Sequence, residues 1–410
     1  MIDITQPPYC AAGDGQIDDT AAIQAAIDAL ANQQGGAIYF PRGCYLVRKD
    51  NPTGQGTPTP DDMALRIYSD NITLFSDEGA ILKHDPSAPR FKILRVGVTP
   101  ITNGLISFKG GGIKGLEFDG SYTPDPNVED DGNFPLWVHG VQDYVLRDLY
   151  IHHSSDYGIG MQNGGHKNVR LENITIEDVM ADGIDVKNNG NTDAECKMRN
   201  ITVRRFGRGD NPTKPFAGID LMGEGWLLSD IHVSEFGDVG YAASGVRFKQ
   251  GETTDEIMRG LGAHHASMTN FCIRGSSGAL LASSGVDIRA RNVVVGNGQI
   301  RDCPGNGVQI RQHEAQVSNV LTRACGTGFK TETNTGETTD GIRAVLSACV
   351  ARSSSVVGFD FADDWALATG CMSRTNPIGV RMTGNSNKWS GQIGGCATPV
   401  VNTGTGNVVS

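Results

Sequence analysis

A polar residue followed by a short apolar alternation recurs along most of this chain. It reads Asp148-Leu-Tyr-Ile, Asn173-Ile-Thr-Ile, Asn200-Ile-Thr-Val, Asp230-Ile-His-Val, Asn270-Phe-Cys-Ile, Asn297-Gly-Gln-Ile and Asn319-Val-Leu-Thr, at spacings of about 22 to 40 residues. Self-similarity at that period marks a solenoid. The runs have a period of two and lie between Gly- and Asn-rich turns, so the repeating element is a strand. Each run leads, after a turn, into a second strand opened by Gly. Several strands per turn with no intervening helix predict an all-β parallel β-helix. An Asn at a fixed place in each coil fits this, because its amide bonds turn backbone in its own and the next coil and Asn tolerates left-handed conformations.

A solenoid grows along one axis and can hold all 410 residues in one core. The expected organisation is an N-terminal cap over residues 1–48 and one continuous β-helix over 49–410. In the cap, Asp18-Asp19-Thr20 reads as a helix N-cap, Ile23, Ile27 and Leu30 have helical spacing, and Gly35-Gly36 stops the helix. A short α-helix there covers the open end of the stack. The stretch from Asp50 to Asp62 reads as a loop. The start Met-Ile-Asp-Ile lacks a secretory leader pattern and no apolar run reaches membrane-span length, so the expectation is a soluble chain without a signal peptide. A net charge of −11 argues against nucleic acid as a partner. The nine Cys follow the repeat, with Cys303, Cys325 and Cys396 in one equivalent place and Cys349 and Cys371 in another, which predicts stacked, buried thiols. No cofactor and no metal is expected: His152-His153 and His264-His265 read as exposed loop residues.

Aligning the second strands by their leading Gly gives rows such as Tyr157-Gly-Ile-Gly-Met-Gln162, Asp182-Gly-Ile-Asp-Val-Lys187, Ala217-Gly-Ile-Asp-Leu-Met222 and Ser244-Gly-Val-Arg-Phe-Lys249. Ile106-Ser-Phe-Lys109 and Leu136-Trp-Val-His139 fit more loosely. Alternation predicts two outward columns. The first is Ser107, Trp137, Gly160, Asp185, Asp220, Arg247, Asp287, Gln309, Lys330; the second is Lys109, His139, Gln162, Lys187, Met222, Lys249, Arg289, Arg311, Glu332. Insertions after Asn200, Asp230, Lys249 and Asn270 flank the middle of these columns and point to a groove there.

Asp185 and Asp220, in adjacent coils of one column, are the candidate catalytic carboxylates, with Asp182 as an alternative partner. Close carboxylates hold different pKa values, giving an acid and a base. Arg247, Lys249, Lys187 and Arg289 form a cationic line suited to a polyanionic sugar, or equally a set of cross-coil ion pairs with Asp185, Asp220 and Asp287. Trp137, Tyr157, Trp226 and Tyr241 are candidate sugar-stacking rings, of which only Trp137 falls in an outward column; Gln162, His139 and Asp287 complete the binding set.

The segment Gly13-Asp-Gly-Gln-Ile-Asp-Asp-Thr-Ala-Ala-Ile-Gln-Ala-Ala-Ile-Asp28, with Gly-Gly-Ala-Ile-Tyr-Phe-Pro-Arg-Gly-Cys-Tyr-Leu-Val47, resembles the opening of the pectate-lyase-like right-handed β-helix superfamily. Similar segments open phage tailspike depolymerases, polygalacturonases and alginate epimerases. Ala181-Asp-Gly-Ile-Asp185 is similar to the Asn-Thr-Asp-Gly segment of polygalacturonases and Gly245-Val-Arg-Phe-Lys249 to their Arg-x-Lys clamp, which implies a catalytic carboxylate at Asp182 and substrate contacts at Arg247 and Lys249. Their Asp-Asp pair and Gly-His-Gly are missing. Tyr157-Gly-Ile-Gly-Met-Gln162 is similar to the Tyr-Gly-x-Asp-Pro-His site of alginate epimerases, with Gly160 and Gln162 replacing its Asp and His. The resemblance implies a depolymerase of the tailspike kind that hydrolyses a bacterial surface polysaccharide, extracellular or virion-associated, with a homotrimer as the matching assembly. A lyase and a non-catalytic capsule-binding spike are the alternatives.

Overall fold

A computed structural model of the chain describes residues 1–48, 63–88, 91–97, 108–123, 134–162, 164–187, 193–209, 215–237, 242–251, 261–276, 283–332 and 342–410. The loop at 50–62, Ser107, Tyr241 and most of the insertion after Lys249 lie outside them. The chain forms two compact units, Met1–Asp210 and Asn211–Ser410. Both are built of parallel strands that return to the same place once per coil. In the first unit one sheet runs through Gly36–Tyr39, Ile72–His84, Gly111–Asp119, Val145–Ser154, Arg170–Val179 and Lys197–Arg204. A second runs through Met63–Ile67, Lys92–Val96, Leu136–His139, Ile159–Gln162 and Ile184–Val186. The second unit repeats the plan. There the Gly-led strands Phe216–Leu221, Ala243–Phe248, Ser284–Ile288, Asn306–Ile310 and Thr327–Thr331 stack in order.

Like side chains stack on like. Leu149, Ile174 and Ile201 are consecutive partners, as are Ile151, Ile176 and Val203, and all are buried. Each such burial contributes about 1.5–3 kcal/mol. The polar residue heading each run does not sit in a separate turn: it bends a strand that continues past it. Asp148, Asn173, Asn200, Asp230, Asn270, Asn297 and Asn319 all have φ between 52° and 57°. The left-handed conformation expected of them is present, but the amides bond the next side chain and not the backbone. Asn173 Nδ2 donates to Asp148 Oδ1 at 2.9 Å, Asn200 Nδ2 to Asn173 Oδ1 at 3.0 Å, and Asn319 Nδ2 to Asn297 Oδ1 at 3.2 Å.

A second left-handed corner follows five residues later in most coils, at His153, Asp178, Arg205, Glu235, Asp302 and Ala324. Gly is absent from these places, so the sequence pattern gave no warning of them.

The cap helix spans Thr20–Ala31 and buries Thr20, Ile23, Ala26, Ile27 and Leu30. Asp19 does not cap it through its side chain. Its carboxylate instead accepts the amides of Ala12 and Gly13, at 2.6 and 3.0 Å, and the Thr20 amide goes to Asp18 Oδ1 at 3.0 Å. A Cβ on Gly36 would meet Leu30 Cδ2 at 2.8 Å, so the chain leaving the helix passes where only glycine fits. All nine cysteines are free; Cys303, Cys325, Cys349 and Cys371 are buried, as expected of stacked thiols, whereas Cys396, expected with them, is only half-buried in the last coils.

Candidate functional site

The first predicted column is real within each unit. Trp137, Gly160 and Asp185 are consecutive register partners in one, and Asp220, Arg247, Asp287, Gln309 and Lys330 in the other. Its beginning differs. Ser107, expected there, lies outside the described residues, and the partner that precedes Trp137 is Arg95; Lys109, expected at the head of the second column, pairs with Gln142 in a separate short ladder. The column is also not a solvated surface. Asp185, Asp220 and Asp287 are each 1% exposed and Arg247 is 3%; in the second column Met222 is likewise buried.

In the first unit, Asp185 follows Ile184 and precedes Val186, so alternation turns its carboxylate away from the apolar interior. Gln162 Nε2 donates to Asp185 Oδ2 at 2.7 Å, and Lys187 Nζ stands 3.6 Å from the same oxygen. Lys187 also donates to the Tyr157 hydroxyl at 3.4 Å. Asp182, buried in the preceding turn, brings a carboxylate oxygen within 4.8 Å of one from Asp185. Two acids, an amide, an ammonium and a phenol therefore converge on one strand end.

Trp137 and His139 do not act as open sugar platforms. The indole faces Lys92 Nζ at 4.6 Å and the Arg95 guanidinium at 4.4 Å, with the His139 ring 4.1 Å away, so its faces are occupied. Burial, then the positive charge of Arg95, lower the His139 pKa to about 2, and the ring is neutral at physiological pH. Trp226 is fully buried packing, while Tyr241 lies outside the described residues.

In the second unit, Arg247 donates to both oxygens of Asp220, at 2.8 and 2.7 Å, and to the Pro215 carbonyl at 2.8 Å. Lys249 Nζ adds a bond to Asp220 at 3.0 Å. Burial pushes the Asp220 pKa up, but Arg247 and Lys249 overcome it and hold the group far below the usual carboxylate range. The expectation that one member of an Asp185/Asp220 pair carries a raised pKa is thus overturned for Asp220, because two cations reach it. Asp287 is held by Arg289 at 2.7 Å and approached by Arg311 at 3.4 Å. The cationic line is charge-compensated, yet Lys249, Arg289 and Arg311 keep 16%, 28% and 26% of their side chains exposed.

A further polar row escaped the sequence reading. Asp119, His152, Glu177 and Arg204 are consecutive register partners on the first sheet of the first unit. His152 and His153 lie in the strand Val145–Ser154, not in a loop, and His152 is buried. Tyr150 donates to Glu177, which Arg204 and Arg205 also bind. The signal was present: three consecutive coils carry charged or imidazole residues four and five places after the ladder residue, at His152-His153, Glu177-Asp178 and Arg204-Arg205. Among the described residues no helix is long and apolar enough to cross a membrane.

Residues 8–57 match the family model described as rhamnogalacturonase A/epimerase, pectate lyase-like. Over 190 residues the chain is 30% identical to mannuronan C5-epimerase AlgE3 of Azotobacter vinelandii, covering 44% of this chain and 9% of that protein. Over 180 residues it is 30% identical to plasmin and fibronectin-binding protein A of Streptococcus pneumoniae, covering 40% of this chain and 22% of that one. The chain thus spans less than a quarter of either relative. Among solved structures, a tailspike protein of Escherichia coli bacteriophage HK620 in complex with a hexasaccharide superposes with a TM-score of 0.59 at 10% identity, covering 100% of this chain and 80% of that one. Coils of parallel strands, the matched N-terminal segment and these likenesses agree: the chain has the pectate-lyase-like right-handed parallel β-helix fold.

Proposed function

We propose that this chain is a polysaccharide depolymerase that hydrolyses glycosidic bonds of an acidic bacterial surface polysaccharide. The observation that carries the reading is the buried Asp182/Asp185 pair, with oxygens within 4.8 Å of each other and Gln162 and Lys187 on Asp185. In this reading one carboxyl of the pair serves as general acid to the leaving oxygen. The other acts as nucleophile or base. Retaining glycosidases hold their carboxyl groups about 5–5.5 Å apart, and this pair suits that route better than the wider inverting one. Asp220, kept ionised by Arg247 and Lys249, is unsuited to the part of a general acid. The exposed flanks of Lys249, Arg289 and Arg311 offer a line of positive charge to a uronic-acid chain.

A lyase or epimerase is the second reading, favoured by the Tyr157 hydroxyl beside the Lys187 ammonium and by the identity with a mannuronan C5-epimerase. A phenol next to a cation suits removal of a proton alpha to a uronate carboxylate. Structural likeness to a tailspike protein and to a surface protein and adhesin of Streptococcus pneumoniae supports a place on a virion or cell exterior; a homotrimer is the proposed assembly, which light scattering tests.

The test is incubation with acidic and neutral exopolysaccharides, alginate included, following reducing ends, the ultraviolet absorbance of unsaturated uronate and proton NMR together. New reducing ends without that absorbance, abolished in Asp185→Asn, support hydrolysis. Rising absorbance, or epimerised product without cleavage, replaces it with the Tyr157/Lys187 reading. Binding with no turnover on any polysaccharide replaces both with a capsule-binding spike.

A further inference from the structure

We infer that Asp119, His152 and His153 form a binding site for one divalent transition-metal ion of the zinc class, separate from the Asp182/Asp185 pair. In a regular strand, consecutive side chains point to opposite faces. His153 breaks that rule because it occupies the second left-handed corner, with φ at 54°. Its ring turns back beside its neighbour's, and the two Nδ1 atoms stand 2.6 Å apart. Asp119, register partner of His152, places Oδ1 at 3.4 Å from His153 Nδ1 and 3.8 Å from His152 Nδ1. Donors at about 2.0–2.1 Å from a tetrahedral zinc ion lie about 3.3 Å from one another, so a small swing of the exposed His153 ring away from His152, with a slight approach of Asp119 to His152, brings the three to that spacing.

The proton positions agree. His152 Nε2 faces Glu117 Oε1 at 3.0 Å, and a carboxylate there holds the proton on Nε2 and leaves a lone pair on Nδ1. That lone pair points at a second imidazole nitrogen, where only a shared proton or a cation relieves the repulsion. A carboxylate behind a ligating histidine is the usual outer partner of a metal site. Asp119 is itself oriented, with Oδ1 accepting the Ser121 amide at 2.8 Å and Oδ2 bound by Lys83 at 3.0 Å. Lys83 opposes a cation but occupies the oxygen turned toward it. The side chains of Asp119 and His152 are 13% and 8% exposed, against 47% for His153, so the site is anchored inside and open to solvent on one side. Two imidazole nitrogens and one carboxylate select zinc, cobalt, nickel or copper over calcium and magnesium.

The test uses tag-free protein stripped with a chelator and titrated with cobalt(II), read by its visible absorption, with zinc as competitor. One cobalt per chain is expected, displaced by zinc and indifferent to excess calcium. His153→Ala and Asp119→Asn should each weaken binding by tenfold or more, and Glu117→Gln by about 10- to 100-fold. Asp185→Asn should leave it unchanged, which keeps this inference apart from the proposed function. Circular dichroism confirms that each variant is folded, and His153→Ala alters an exposed side chain only. Absence of cobalt binding in the folded protein, or binding that survives both His153→Ala and Asp119→Asn, overturns the site.

Discussion

Arg247 grips Asp220 through two parallel N–H bonds of 2.8 and 2.7 Å, and both side chains are withdrawn from water. An ion pair of this kind is close to neutral as a whole, because its desolvation offsets its attraction, but removing one partner strands the other's charge. Asp220→Ala should therefore destabilise the fold by about 3–5 kcal/mol, measured by chemical denaturation. The double variant Asp220→Leu with Arg247→Met should recover much of the loss, whereas equal loss in both would mean that the pair's shape and not its charge matters.

Asp182→Asn and Asp185→Asn keep the size of each side chain and remove its acid–base function. On the polysaccharide that the protein cleaves, each should lower turnover by about 10²–10⁴-fold while binding changes little, as initial rates and affinity measurements would establish. A parallel loss of affinity would move both residues from chemistry to recognition.

Folded His139 takes a proton only near pH 2, whereas the free ring does so near 6.5. Between those values the unfolded chain binds more protons than the folded one, so stability falls as the pH drops below about 6.5. His166, fully buried with a lowered pKa, acts in the same direction. Each contributes a slope of up to about 1.4 kcal/mol per pH unit in that window. His139→Gln should flatten the curve of stability against pH from 6.5 downward without removing it, as urea unfolding at a series of pH values would reveal.

Asn173 holds φ at 55°, donates to Asp148 and accepts from Asn200. Asn173→Ala should cost about 1–2 kcal/mol from its left-handed backbone, and Asn173→Gly distinctly less, because only the ladder bonds are lost. Thermal melting of the two variants distinguishes backbone strain from the side-chain bonds.

Parallel stacking made much of this legible in advance. Because each coil repeats the last, aligning Gly-led strands was enough to pair Asp220 with Arg247, Arg247 with Asp287 and Gly160 with Asp185. Periodicity reports which residues share a column but not what covers it. The ring contacts that remove Trp137 from the surface depend on neighbours distant in sequence, such as Lys92 and Arg95. The second corner was hidden for a different reason. His153, Asp178 and Arg205 adopt left-handed backbone without the Gly or Asn that advertises it, and the convergence of His152 with His153 follows from that one dihedral.

Gly160 interrupts a column of large polar side chains, and a Cβ there would come within 2.4 Å of the Phe134 ring. That ring fills the slot between the partners of Gly160, edge-on to Trp137 and 5.2 Å from Tyr157. On the Trp137 side lie Lys92 and Arg95; on the other lies Asp185. The missing Cβ thus seats a benzene ring on the step between Trp137 and Asp185, and the Lys92 ammonium lies over that ring 5.1 Å from its centroid: one absent carbon places an aromatic face within reach of a cation.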